Sequence, residues 1–202
     1  MKTIDELLIE IGEDKTQNLS TTSFQFKRDV WNYFQGFQDK VVVEFGTHKG
    51  QTTRILSHLF KKVYTVNNND NDIAKKFNKD RDNIVYLNFD LYSNNLLPIL
   101  DVVDVFLIDA GHEYEHVIYD INRVTSMNCS ETCYIIFDDY GADCHSTTVK
   151  RAVDHAIQMN VLSLIKGIGH NKGYNFGNGN KGGPDRILED YEGLITKINF
   201  YE

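Results

Sequence analysis

The sequence predicts an α/β protein, a Rossmann-like, doubly wound and mostly parallel seven-stranded sheet with N-terminal helices and a C-terminal antiparallel strand pair. Two observations predict it. Between residues 40 and 160, strand-length apolar runs alternate with stretches whose apolar residues recur at helical spacing. The first run, VVVEF at 41–45, is almost continuously apolar, as suits a strand buried on both faces. Right-handed crossovers between such strands place helices on both sides of the sheet.

The elements follow in order. Residues 1–38 read as one or two helices, including SFQFKRDVWNYFQGF, that cap the sheet edge or lid a site. After VVVEF, the stretch QTTRILSHLF carries helical spacing at Ile55, Leu56, Leu59 and Phe60. KVYTV (62–66) is a second strand, DIAKKFNK a short helix and NIVYLNF (83–89) a third strand. DVFLID (104–109) is a fourth, followed by a helical stripe of Tyr114, Val117, Ile118, Ile121 and Val124. CYIIFD (133–138) is a fifth, followed by a stripe of Val149, Ala152, Val153, Ala156 and Ile157. In the remainder, VLSLIKGIG and GLITKINFY form the final strand pair, joined by a long flexible loop rich in Gly and Asn. The expected organisation is a single unit over 1–202, with a helical cap (1–38), a ligand-binding core (40–160) and a C-terminal strand pair (161–202).

Bulk properties narrow the function. A length of 202 residues fits one domain, and 41% hydrophobic content fills one core. No apolar run approaches the roughly 20 residues of a membrane span, and the start MKTIDELLIEIGEDK is too acidic for a signal peptide. The expectation is a cytoplasmic protein with no membrane partner. A formal charge of -8 argues against gripping nucleic acid. The three cysteines, Cys129, Cys133 and Cys144, fit free thiols better than a disulfide framework or a zinc knuckle. The N-terminal helices also suit a dimer interface, so a homo-oligomer is possible.

The stretch VVVEFGTHKGQT carries the first functional signal. A dinucleotide fingerprint needs G-x-G-x-x-G, but His48 and Gln51 stand at the second and third glycine positions. A phosphate loop is absent too. Glu44 precedes the first glycine, and a carboxylate there repels a pyrophosphate but pairs with an ammonium. That points to a ligand with an amino-acid end.

Glu44, Gly46 and Gly50 match [ED]-x-G-x-x-x-G, and here the chain resembles class I S-adenosylmethionine-dependent methyltransferases over roughly residues 40 to 160. The resemblance implies S-adenosylmethionine as cofactor, contacted by Glu44, Phe45, Gly46, Thr47, Gly50, Thr52, Asn67, Asp90 and Asp109. Asn67 stands where the family usually has an acid for the ribose hydroxyls, and an uncharged acceptor is weaker. Asp90, in LNFDLYS, matches the position near the adenine.

The second signal is FLIDAGHEYEHV together with YIIFDDYG. Asp109 and His112 follow the fourth strand, and Asp138 and Asp139 follow the fifth, so all four open onto one crevice. Three carboxylates there repel one another unless protonated or bridged by a cation, and hard oxygen donors suit Mg²⁺. This set resembles the metal-dependent sugar O-methyltransferases of macrolide and aminocoumarin pathways. That branch implies Mg²⁺ on Asp109, Asp138 and Asp139, a catalytic role for Asp109, and His112 as general base toward a small hydroxylated acceptor such as a sugar or glycoside. An N-methyltransferase of protein or nucleic acid, and a degenerate cofactor-binding module, remain the alternatives. Tyr140 and His145 are candidates for the acceptor pocket, Tyr174 and Phe176 for a closing segment, His48 for a solvent-exposed loop residue, and Trp31 for packing.

Overall fold

The structure is a computed structural model that describes residues 2–145, 147–179 and 183–200. Two helices come first. Helix α1 (Ile4–Ile11) opens with a capping box, in which the Thr3 hydroxyl accepts from the Glu6 amide and the Glu6 carboxylate accepts from the Thr3 amide at 2.7 Å. Gly12 ends it with a left-handed φ of 68°. Helix α2 (Phe24–Tyr33) starts at Ser23, whose Oγ accepts from the Phe26 amide at 2.9 Å. Trp31 is buried in the core.

The alternation then runs β1 (Val41–Phe45), α3 (Gln51–Leu59), β2 (Lys62–Asn67), α4 (Asp72–Phe77), β3 (Ile84–Asn88), β4 (Val103–Ile108), α5 (Tyr114–Thr125), β5 (Cys129–Phe137) and α6 (Val149–Gln158). β6 (Leu162–Asn171), β7 (Asn175–Gly179), β8 (Gly183–Arg186) and β9 (Tyr191–Ile198) complete it. The main sheet has seven strands in the order β3-β2-β1-β4-β5-β9-β6. β1 to β5 pair in parallel, and β9 pairs antiparallel with both β5 and β6.

Two differences from the sequence reading have local causes. β5 begins at Cys129 rather than Cys133, because Cys129 pairs with Val103 ahead of a register irregularity. The Gly- and Asn-rich stretch is not only a loop: β7 and β8 pair there as a separate two-stranded ribbon.

Successive strand residues face opposite sides, so each parallel strand feeds two cores. Val42, Val63, Val105, Leu107 and Ile136 pack with α1, α2 and α3. Val43, Phe45, Phe106, Ile108, Ile135 and Phe137 pack with α5 and α6. Covering both faces explains the unbroken burial of Val103–Ile108. It leaves the carboxyl ends of β1 to β5 as the open end of the sheet, where a ligand crevice forms. Among the described residues, no helix is long and apolar enough to cross a membrane.

Candidate active site

A cavity of about 570 Å³ opens at that end. Gly46 and His48 line it after β1, Asn67 after β2, Asp90 after β3, Asp109 and His112 after β4, and Asp138, Asp139 and His145 after β5. Leu19, Ser20 and Thr21, from the connection between α1 and α2, line it as well. The volume lies within the range of small-molecule sites.

The glycine loop is shaped by its neighbours. A Cβ on Gly46 (φ 99°) would lie 1.8 Å from the Asp109 carbonyl oxygen. One on Gly50 (φ 76°) would lie 2.6 Å from Asn78 Nδ2 and 2.8 Å from Ala74 Cβ. Both glycines therefore let the loop nest against β4 and α4, which accounts for them without any ligand.

Glu44 does not meet the expectation of an ammonium partner in the cavity. It shares a sheet face with Val42, is 1% exposed and is not among the cavity-lining residues. Its Oε2 accepts from Thr53 of α3 and from Thr65 of β2. Burial pushes its carboxyl up to about 8. Phe45, Thr47, Gly50 and Thr52 also stand off the cavity wall. Phe45 is core, Thr47 Oγ1 bonds Thr65 Oγ1 at 2.7 Å, and Thr52 Oγ1 lies 3.3 Å from Thr22 Oγ1. Strand alternation sends Glu44 and Phe45 to opposite faces of the sheet, while Thr47 lies in the loop and Thr52 on α3; a motif position names a residue but not the face its side chain takes.

Asn67 and Asp90 do line one arm of the cavity, with Tyr92 and His116 stacked beside them at 4.1 Å. Asp90 also accepts from the Tyr92 amide at 3.0 Å, so it caps a turn and faces the cavity at once.

The other arm holds the acidic cluster. Asp109, Asp138 and Asp139 offer carboxylate oxygens within 4.8 Å of one another. Asp139 adopts φ 57°, a left-handed conformation that Asp tolerates better than most residues. Asp138 is 5% exposed, and its Oδ1 has no hydrogen-bond partner among the described residues. His112 Nε2 lies 3.1 Å from Asp139 Oδ2 and 3.6 Å from Asp109 Oδ1. The His145 ring stacks on His112 at 4.4 Å, its Nε2 3.8 Å from the same Asp139 oxygen.

Lys15, which the sequence reading did not single out, enters this cluster. It is 1% exposed, and its Nζ donates to Asp139 Oδ1 at 2.8 Å. Glu192 Oε1 lies 3.7 Å and Asp185 Oδ2 4.0 Å from the same nitrogen. Burial disfavours the ammonium, but the charges of Asp139, Asp138 and Glu192 outweigh that and hold its pKa well above the usual value.

Burial and the neighbouring Asp139 and Asp109 charges push Asp138 far up, against the pull of Lys15. Burial also acts upward on Asp139, but Lys15 and His112 outweigh it and hold that carboxyl far below its usual range. The carboxylates of Asp109 and Asp139 raise His112 to about 10. With that shift the ring is an imidazolium near neutral pH, an acid rather than a base until its carboxylate partners are neutralised.

The donors fit a hard divalent cation: three carboxylates converge, and a buried oxygen on one of them lacks a partner. Tyr140 does not join the site, because its hydroxyl turns to α6 and donates to Asp154 at 2.7 Å. Tyr174 stacks on His170, Phe176 meets both rings edge-on, and neither residue is among those lining the cavity. His48 is an exposed residue of the glycine loop, as expected, and it also lines the cavity.

Residues 43–140 match the family model described as a methyltransferase domain. An uncharacterized protein of Acanthamoeba polyphaga mimivirus is 28% identical over 131 residues, 58% of this chain and 58% of that protein. The match thus spans little more than half the length of that curated relative. An rRNA methylase from Streptococcus thermophilus superposes with a TM-score of 0.56 at 12% identity, over 85% of this chain and 95% of that one. The N-methyltransferase NodS of Bradyrhizobium japonicum, in complex with S-adenosyl-L-homocysteine, does so with 0.58 at 13% identity over 98% of each chain. The fold is the class I methyltransferase fold, and its central segment carries the methyltransferase domain match.

Proposed function

We propose that this chain is an S-adenosylmethionine-dependent O-methyltransferase acting on a small hydroxylated molecule, such as a sugar or glycoside, with Mg²⁺ as the assisting cation. The observation that carries the reading is the single cavity joining Asn67 and Asp90 at one arm to Asp109, His112, Asp138 and Asp139 at the other. Asn67 and Asp90 offer acceptors for the hydroxyl and amino groups of a nucleoside. NodS, of the same fold, holds S-adenosyl-L-homocysteine, which supports the cofactor.

S-Adenosylmethionine supplies a methyl group on a sulfonium, and Mg²⁺ held by Asp109, Asp138 and Asp139 would lower the pKa of a bound hydroxyl. The residues do the rest. Asp109 orients His112 from 3.6 Å. Were a bound cation to neutralise Asp109 and Asp139, His112 would release its extra proton to solvent, and its Nε2 could then accept the acceptor hydroxyl's proton as that oxygen takes the methyl group and the sulfonium sulfur keeps the bonding pair. Leu19, Ser20 and Thr21 add a wall to the cavity from the connection between α1 and α2. Holding acceptor and methyl in line supplies much of the acceleration.

The test is calorimetric titration with S-adenosylhomocysteine, with and without Mg²⁺ and with NAD as control. Micromolar binding of the first ligand alone is expected, followed by turnover on hydroxylated sugars that EDTA abolishes. Asp138→Asn and His112→Ala should each lower turnover at least about 100-fold in folded protein. Absence of binding would reduce the reading to a statement about fold.

A further inference from the structure

The acidic cluster already contains a cation. Lys15 belongs to the connection between Gly12 and Ser23, and its ammonium is buried against the cluster at 1% exposure. Its nitrogen takes Asp139 Oδ1 at 2.8 Å, while Asp139 Oδ2 faces His112 at 3.1 Å and His145 at 3.8 Å. Asp139 Oδ1 is therefore hydrogen-bonded and its Oδ2 faces two imidazoles, whereas the buried Asp138 Oδ1 has no hydrogen-bond partner among the described residues. A cluster that is half engaged by an internal cation and half unpartnered has two ways of balancing its charge.

We propose that Lys15 is the internal occupant of the divalent-cation site, and that a divalent ion binds only by drawing Asp139 away from it. This rests on the reading of Asp109, Asp138 and Asp139 as the cation site. A divalent ion needs a carboxylate oxygen at roughly 2.1 Å, and an ammonium on the same carboxylate repels it and withholds a lone pair. Lys15 has somewhere to go. Glu192 Oε1 at 3.7 Å and Asp185 Oδ2 at 4.0 Å from the same nitrogen are alternative partners, each within a short swing of its four-carbon stem. The connection itself need not open: Asp14 Oδ1 accepts from the Phe24 amide at 2.6 Å, and Glu13 Oε2 accepts from Lys49 at 2.9 Å. Lys15 thus lowers the cluster's affinity for divalent ions and keeps the site ordered when none is bound.

The test uses Mn²⁺ as probe, with the free ion followed by electron paramagnetic resonance, in the full chain and in Lys15→Met. The variant should bind Mn²⁺ at least tenfold more tightly, and Mn²⁺ should raise its melting temperature more than it raises that of the unsubstituted protein. Equal or weaker affinity, or no Mn²⁺ bound by either protein, would overturn the proposal. If Lys15→Met does not fold, the unsubstituted protein still decides: the Lys15 side-chain resonance, assigned with Lys15→Arg, should move saturably with added Mg²⁺. A resonance unmoved by saturating Mg²⁺ would overturn it. Titration with S-adenosylhomocysteine separates the two readings. Binding of that ligand with unchanged Mn²⁺ affinity removes only the role of Lys15, and its failure to bind removes the methyltransferase reading.

Discussion

Gly46→Ala tests how the site is built. A Cβ at this position would lie 1.8 Å from the Asp109 carbonyl oxygen and 2.7 Å from its carbon. Real contacts of that kind stay beyond 3.0 Å, so the loop and the end of β4 must part by at least about 1.2 Å. Neither side yields freely. The Asp109 amide donates to the Phe45 carbonyl at 2.9 Å, and the Gly46 amide donates to the Val66 carbonyl at 2.9 Å. Overpacking of this kind costs about 1–3 kcal/mol, and a side chain at φ 99° adds about 1–2 kcal/mol more. The expected loss is therefore about 2–5 kcal/mol in urea denaturation, or a melting temperature lower by about 10 °C for a chain of this size. Asp109 moves with the strand end, so affinity for Mg²⁺ should fall in the same variant. A loss below about 1 kcal/mol with unchanged ligand affinity would refute the claim that this glycine exists to let β4 approach.

Other expectations follow from the same geometry. Glu44 has a folded-state value near 8 against an ordinary 4.5, so the folded protein keeps a proton that the unfolded chain releases. Its stabilising share is complete below pH 4.5 and is lost as pH rises through 8, which makes Glu44→Gln gain on the unsubstituted protein by up to about 4 kcal/mol between pH 5 and pH 8; denaturation curves that stay parallel across that range would contradict this. The same variant should bind S-adenosylhomocysteine within about threefold of normal, because Glu44 does not line the cavity. Arg54 donates to Asp80 through two nitrogens, at 2.9 and 3.1 Å, and to Glu10 at 2.9 Å. Arg54→Lys should cost about 1–2 kcal/mol in chemical denaturation, since an ammonium cannot reproduce the planar fork. Ser23→Ala removes both a helix cap and a hydroxyl donor to the buried Glu192, and should cost about 1–2 kcal/mol by the same assay.

The sequence made the parallel strands and their order along the chain legible because both sheet faces are covered, and full burial leaves unbroken apolar runs such as VVVEF. Asp109, His112, Asp138 and Asp139 were legible for a related reason. Residues just past neighbouring parallel strands must share one end of the sheet, whatever the loops do. The facing of Glu44 and Thr47 was harder to read, since the motif spacing says nothing of which side of β1 or its loop a side chain takes. Lys15 left no signal. It sits in the acidic stretch GEDKTQ, where a lysine reads as a solvated charge, and its partner Asp139 lies 124 positions away. Contacts of that range have no periodicity to betray them. Tyr140 was misplaced because it adjoins the Asp pair in sequence but turns its hydroxyl to Asp154 on α6.

The Glu192 carboxylate accepts from the amide and the hydroxyl of Ser23, 169 positions earlier, and from the His170 amide. It lies on β9, which is wedged between β5 and β6. During synthesis, β6 leaves the ribosome before β9, the strand it pairs with among the described residues. Ser23, at the end of the connection that carries Lys15, likewise gains its Glu192 contacts only once β9 is in place. The nascent chain can therefore assemble β1 to β5 early, but its cavity keeps a loose roof until the last strand inserts. Closing so long a loop is slow, and a truncation before residue 191 would leave the parallel core with an unpaired β5 edge open to aggregation.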